Sequence, residues 1–399
     1  MGTACQSTTE RRARFAAAAL FLTNGALFAN LLPRYPEIKA DLGLSNAVYG
    51  AAIAAFSAGA LVTGPAAGAL IRRYWSSRVA LVGSVLIGVF AFLAGIAPWV
   101  WAFAAALLLA GGADAVTDVA QNAHALRVQR VYGRSIINSF HAVWSAGAIL
   151  GGLMGAAAIA LHISRGTHLA VSAVVFSLVC LVAYRYLLPG PDANGESTTR
   201  SVRSGAGTSG RAMYATLAAL VIIAIAGATV EDAGSSWATL FLRELGAPGA
   251  IAVFGYIALV GFQFLGRLLG DRLVDRFGRR AVARAGGLIA AAGMGGALAV
   301  PSVATVIAGF AAAGFGVATL VPAAMQAADE LPGLRPGTGL TAVAWLMRIG
   351  FVVAPPMVGA IADATSLRVG LLSVPVAGAL VIVLAGVLAE RGRQDDSRG

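Results

Sequence analysis

Charge is scarce in this chain. Asp, Glu, Lys and Arg make up 12% of 399 residues, where a soluble domain carries about 25%. Lysine occurs once, at Lys39. So little charge cannot cover the surface of a soluble fold of this length, and it excludes a disordered chain or a coiled coil. Cysteine is equally rare. Cys5 and Cys180 cannot build a disulfide framework, and Cys180 sits inside an apolar run. No Gly-x-x-x-x-Gly-Lys-Ser/Thr loop occurs, which argues against ATP hydrolysis. His124, His162 and His168 show no zinc spacing, so neither a metal nor another cofactor is expected. Clustered catalytic residues and symmetric pore-lining rings are also missing, which disfavours a membrane enzyme and a channel.

Hydrophobicity is abundant. The set AVILMFWYC makes up 58% of the chain, and the mean hydropathy is +0.79. A spanning helix needs about 20 apolar residues. Twelve such runs can be drawn, at 14–33, 46–70, 78–97, 99–124, 135–160, 166–188, 213–242, 249–270, 281–300, 302–326, 338–362 and 367–389. The first follows Arg11, Arg12 and Arg14 as a signal peptide would. Its length and the eleven runs behind it make it an uncleaved first helix. The net charge of +11 is spread as small arginine groups between runs, which is a topology pattern and not a nucleic-acid footprint. With the N-terminus inside, twenty-three arginines fall in inside segments. Five basic residues (Arg34, Lys39, Arg165, Arg243 and Arg368) fall outside, and Arg348 lies within a run. Both termini are therefore expected in the cytoplasm.

A polar stretch from Pro189 to Gly210 is rich in Gly, Ser and Thr and reads as a linker. It divides the chain into an N-terminal six-helix half (1–188), a cytoplasmic linker (189–212) and a C-terminal six-helix half with a tail (213–399). A 6+6 plan is the parallel-repeat design of one large transporter class.

The loop after the eighth run, Gly266 to Arg280, reads GRLLGDRLVDRFGRR. Its Leu273, Asp275, Arg276, Gly278, Arg279 and Arg280 resemble the signature cytoplasmic loop of the major facilitator superfamily. Asp275 can accept hydrogen bonds from the next helix N-terminus and from nearby arginines, and Gly278 permits the tight turn. In the first-half copy Gly68, Leu70 and Arg73 fit, while Arg72 replaces the acid and Trp75 the glycine. The segments 111–152 and 231–247 look like the YbjJ-type bacterial branch, distantly similar to sugar–proton symporters. The arginine in helix four and the Gly-Pro motif in helix five of drug–proton antiporters are both missing. The resemblance implies an all-α membrane protein of twelve helices in two pseudo-symmetric six-helix bundles. Helices one, four, seven and ten would line a central cavity.

A charge at mid-bilayer costs about 2.5–3.5 kcal/mol on the lenient insertion scale, so each one retained needs a partner or a cavity. Asp114, Asp118, Gln121 and Asn122 share one helical face in the fourth run. Glu231 and Asp232 point about 100° apart in the seventh, with Thr229, Asp232 and Ser236 on one face. Arg348 lies within the eleventh, one turn after Trp345. Asn138, His141 and Ser145 share a face of the fifth, and His141 is a candidate titrating group. Asn24 and Gln263 are weaker cavity candidates. Trp144 and Trp237 read mainly as packing, and Gly111–Gly112 as a loose point in the fourth helix. The combined expectation is a secondary active transporter that moves a small organic solute by alternating access, coupled to protons. The alternative is a proton-driven efflux pump for a drug or natural product. The expected surroundings are the bilayer of a bacterial inner membrane and no nucleic acid, with the protein a monomer.

Overall fold

The computed structural model describes residues 8–133, 136–190, 210–334 and 338–388. Residues 191–209 of the expected linker lie outside them, as do Arg134, Arg200, Arg203, Arg335, Arg391, Arg393 and Arg398, which entered the charge asymmetry. The described chain is helical, with twelve spans long and apolar enough to cross a membrane. They are α1 (Thr8–Asp41), α2 (Asn46–Tyr74), α3 (Ser76–Gly95), α4 (Val100–Tyr132), α5 (Ser139–Ala160), α6 (Arg165–Tyr184), α7 (Arg211–Glu244), α8 (Gly249–Phe277), α9 (Arg279–Ala299), α10 (Val303–Asp329), α11 (Thr338–Ala364) and α12 (Leu367–Leu388). All twelve expected runs are present. In lipid a helix satisfies its own backbone, which is why apolar runs of this length adopt no other form.

Several spans are interrupted, three of them at or beside proline. Pro33 and Pro36 turn the end of α1 through a short 3-10 segment, so it continues to Asp41. Pro65 does the same within α2, and Pro322 follows the break of α10 at Ala318–Thr319. A proline has no N–H to donate, and its ring crowds the carbonyl four residues back. The α7 interruption has no proline: Ala233–Trp237 winds as a π-turn. By contrast α4 is unbroken through Gly111–Gly112, contrary to the expected loose point. A Cβ on Gly111 would meet the Phe56 backbone, so that glycine serves the crossing of α2 and α4.

The two halves repeat one packing scheme. In the first, α1 packs on α5 and α6, α2 on α4, and α3 on α4 and α6. In the second, α7 packs on α11 and α12, α8 on α10, and α9 on α10 and α12. The bundles meet chiefly through α2 with α11 and α5 with α8. The α2–α11 seam runs along the start of α2 and the end of α11. The end of α5 meets the start of α8, as Ile159 lies beside Gly249.

The signature loop and its first-half copy share a backbone turn despite different residues. Gly278 has φ 79° and ψ 155°, and Trp75 has φ 71° and ψ 146°. Trp75 therefore holds a conformation that favours glycine, steadied by Arg78 4.2 Å over its ring. A Cβ on Gly278 would touch nothing within 4 Å. Gly278→Ala is thus expected to cost only backbone strain, about 1–3 kcal/mol. A lowered thermal midpoint with unchanged helicity is the expected result; an unchanged midpoint would remove this turn from the solution structure.

Candidate functional site

The acids of α4 stand where the first bundle faces the second. Asp114 Oδ1 accepts from Asn24 Nδ2 at 3.0 Å, and Asn24 Oδ1 accepts from Trp144 Nε1 at 2.7 Å. This chain of bonds ties α4 to α1 and α5 and fixes the orientation of the buried amide. Asn24, a weak candidate in the sequence, is thus the direct partner of an acid. One turn on, Asp118 is exposed and accepts from Asn122 Nδ2 at 3.0 Å. His141 of α5 and Arg348 of α11 lie within electrostatic range of Asp118, and Arg348 also acts on Asp114. The expected four-residue stripe does not hold together. Gln121 is 2% exposed and donates to the Leu20 carbonyl (3.2 Å) and Ser84 Oγ (3.4 Å) inside the first bundle. Successive turns of a helix drift by about 40° per four residues. The stripe therefore straddles the α1 contact: Gln121 turns inward while Asp118 and Asn122 stay open.

Glu231 and Asp232 separate as their adjacent positions require. Glu231 Oε2 accepts from Gln263 Nε2 of α8 at 3.0 Å. Asp232 is 5% exposed; Oδ1 accepts from Ser236 Oγ at 2.9 Å, while Oδ2 is buried without a hydrogen-bond partner. Above it lie Tyr35 and Tyr49 of the first bundle, both within electrostatic range. Tyr49 Oη donates to the Ser236 carbonyl at 2.8 Å, and its ring meets Trp237 edge-on at 5.2 Å. Asp232 is therefore shut beneath the closed seam, not open with Asp118. Trp237 is packing, as its complete burial shows. Thr229 is not a ligand-facing partner either, since its hydroxyl bonds back to the Ile225 carbonyl.

Arg348 opens the second segment of α11, after a break at Met347. It makes no hydrogen bond or ion pair among the described residues, so its charge acts across space on Asp114 and Asp118. His141 is exposed, lies edge-on to Phe21 at 5.5 Å, and also feels Arg267 of α8. Ser145 bonds back to the His141 carbonyl and is buried. The Asn138 side chain lies outside what the structure describes. Arg267 carries no site signal in the sequence, because it sits among loop arginines that the positive-inside rule already explains.

The closed seam has its own polar latch. Asp363, near the end of α11, accepts from the backbone N–H groups of Asn46 and Ala47, both at 2.8 Å. It caps the start of α2 from the opposite bundle, where a carboxylate meets the positive end of the helix dipole. No sequence rule pairs residues more than three hundred positions apart. Arg34, expected in an outside segment, has a buried side chain: it pairs with Glu37 at 2.8 Å, donates to the Ile163 carbonyl at 2.8 Å and bonds His168. His168 in turn bonds Asn30 at 2.9 Å. This satisfied network fastens α1 to α6.

The signature loop differs from its expected chemistry. Asp275 is exposed and has no hydrogen bond or ion pair among the described residues. The ionic contact belongs to Arg279, which grips Glu330 beyond α10 through two bonds of 2.6 and 2.9 Å. Loop arginines Arg276 and Arg73 lie over the adjacent Phe277 and Tyr74 rings, Arg280 is exposed and Gly68 is half-buried. The Arg279 hydrogen bonds hold the Glu330 carboxyl below its usual range. The pair's stabilisation is present above the ordinary Glu pKa of about 4.3 and is lost as pH falls through the lowered value. Glu330 is exposed, so screening keeps the effect small. Among the described residues no group of His, Cys, Asp and Glu could hold a metal ion.

The Major Facilitator Superfamily matches residues 16–273 and 258–398. The transporter y4wD of Sinorhizobium fredii is 31% identical over 375 residues, covering 94% of this chain and 97% of its own. Among solved structures, the nucleoside transporter NupG superposes with a TM-score of 0.74 at 14% identity, covering 96% of this chain and 98% of that one. A D-xylose-proton symporter gives 0.71 at 14% identity, covering 95% and 97%. These two likenesses carry the fold.

Proposed function

The chain belongs to the major facilitator superfamily and is a multi-pass membrane transporter, not an enzyme; on that premise we propose that it moves a small hydroxyl-rich solute by alternating access, coupled to protons. One observation carries the reading. Asp114, Asp118 and His141 of the first bundle face Arg348 and Arg267 of the second, beneath a seam closed by α2 and α11. A site divided between two bundles changes shape whenever they rock.

The arginine asymmetry supports placing the closed seam on the outer side and both termini in the cytoplasm of a bacterial inner membrane. The conformation is then closed outside. Closure leaves Tyr35 Oη, Asp232 Oδ2 and Trp237 Nε1 buried and unpaired. Each such group costs about 1–3 kcal/mol, which opposes the stabilisation from the Asp363 cap and keeps opening within thermal reach. At the site, a carboxyl needs either a proton or a counter-charge. Rocking alters the distance from Asp114 and Asp118 to Arg348, so proton occupancy and conformation are linked. The carboxylate oxygens of the two acids and the amide of Asn122 suit hydroxyl groups. Nucleosides and D-xylose, the solutes in the names of the two solved relatives, are hydroxyl-rich. One chain holds every group of this site, so a monomer suffices.

The test uses protein in liposomes carrying a pH-sensitive dye, challenged with pentoses, nucleosides and amino sugars. Solute-dependent proton movement is expected, and reversing the pH gradient separates uptake from export. Solute flux with no accompanying proton movement would overturn the coupling.

A further inference from the structure

Three arginines open α1, and they are used differently. Arg14 turns inward, donating to Tyr132 Oη at 2.8 Å and lying 5.0 Å over its ring. Arg11 and Arg12 make no hydrogen bond or ion pair among the described residues; Arg12 only rests 5.9 Å from the Tyr186 ring centroid. Both line a groove of about 600 Å³ between α1 and α6.

The groove is apolar away from the arginines. Ala16, Ala19 and Ala183 form its low floor, while Phe15, Leu178 and Val182 form its walls. Phe15 is 66% exposed and Val182 57% exposed, so no helix among the described residues covers that face. A second hollow of about 430 Å³ shares Arg12 and Tyr186 and adds Arg185. No Asp or Glu lines either one. An apolar trough within the membrane thus ends, at the level of Tyr186, in three guanidinium groups with no carboxylate partner among the described residues.

We infer that this groove holds one anionic phospholipid, its phosphate on Arg11, Arg12 and Arg185 and an acyl chain along α1 and α6. Guanidinium groups present donors in a fork that matches phosphate oxygens. Zwitterionic lipids bring a cation that three arginines repel. The small alanines give the acyl chain depth, which a free phosphate would not need. Each cation near the membrane surface contributes about 1 kcal/mol toward anionic lipid, so losing two weakens binding by about tenfold or more.

The experiment uses the purified full-length protein with dioleoyl-phosphatidylglycerol or dioleoyl-phosphatidylcholine, read by native mass spectrometry and thermal shift. Phosphatidylglycerol is expected to bind preferentially. Arg11→Gln/Arg12→Gln is expected to weaken it about tenfold, while Arg272→Gln/Arg284→Gln, with the same charge loss on exposed arginines, leaves it unchanged. Ala19→Trp fills the trough with the arginines intact and is expected to abolish it. Equal binding of the two lipids, or equal loss in both double variants, overturns the inference. Full binding in Ala19→Trp, matched by competition from millimolar inorganic phosphate, reduces the site to a simple anion site and also overturns it. So does phosphatidylglycerol binding that appears only once residues 1–7 are removed, which would make this chain's own N-terminus the occupant.

Discussion

Asp114→Asn and Asp118→Asn are expected to collapse gradient-driven accumulation while sparing solute exchange. Moving one charge through 100 mV is worth about 2.3 kcal/mol. At about 1.4 kcal/mol per decade, a one-proton symporter concentrates its solute about 50-fold per 100 mV. A variant that binds no proton at the coupling site equilibrates its solute at about 1-fold. Asparagine keeps the volume of aspartate and one acceptor oxygen. The bond from Asn24 to position 114, and that from Asn122 to position 118, therefore survive. Fold and exchange are preserved for that reason. Accumulation and counterflow measured in the same proteoliposomes separate the two effects. If both variants accumulate solute like the wild type, the fourth-helix acids are not the coupling site, and Glu231 or Asp232 takes their place.

Gly359→Leu is expected to hold the transporter open to the outside. A Cβ at Gly359 would run into the Asn46 carbonyl, and one at Gly50 into the Pro355 carbonyl. These obstacles are backbone atoms, so no rotamer change relieves them. The two spans must part, and the Asp363 cap on Asn46 and Ala47 is lost with the contact. Overpacking costs about 1–3 kcal/mol, and a shift of about 3 kcal/mol moves a two-state ratio by about two decades. Transport is expected to fall about 100-fold. With Cys5 and Cys180 replaced, a cysteine at Ser235 becomes reactive to an impermeant reagent added outside. Asp363→Ala removes the cap without a clash, and an intermediate effect is expected, which guards against a leucine variant that fails to fold. Unaltered transport and no labelling in both variants would show that this seam does not gate the pathway.

Different residues were legible to different degrees. Asp114 and Asp118 could be found because an acid in an apolar run is costly wherever it lies. Arg348 stood out for the same reason. Gln121 shared that pattern and was misplaced, because a helical wheel gives relative angles but not which angle faces a neighbour. Arg267 was hidden by company: near a loop rich in arginine, the topology rule explains it before any site does. Asp275 fitted a motif, yet the ion pair formed at Arg279, whose partner Glu330 lies 51 residues along the chain. The π-turn at Ala233–Trp237 left no trace, since no proline or cap marks it.

By itself, the amino-acid order determined the number of spans, most of their limits to within a few residues (α1, α4 and α8 run up to eight residues further), the repeat of six and six, and the presence of charges that need partners. These follow from local quantities: the cost of apolar surface in water, the backbone's need for internal hydrogen bonds in lipid, and the price of a lone charge at depth. Only the tertiary structure decided which acids share a space. It placed Asp118 in the open, bound Asp114 to Asn24, shut Asp232 beneath Tyr35 and Tyr49, and set Asp363 on the start of α2. Those pairings depend on how two bundles are rotated and docked. That geometry arises from side-chain packing between spans distant in sequence, on which helical periodicity is silent.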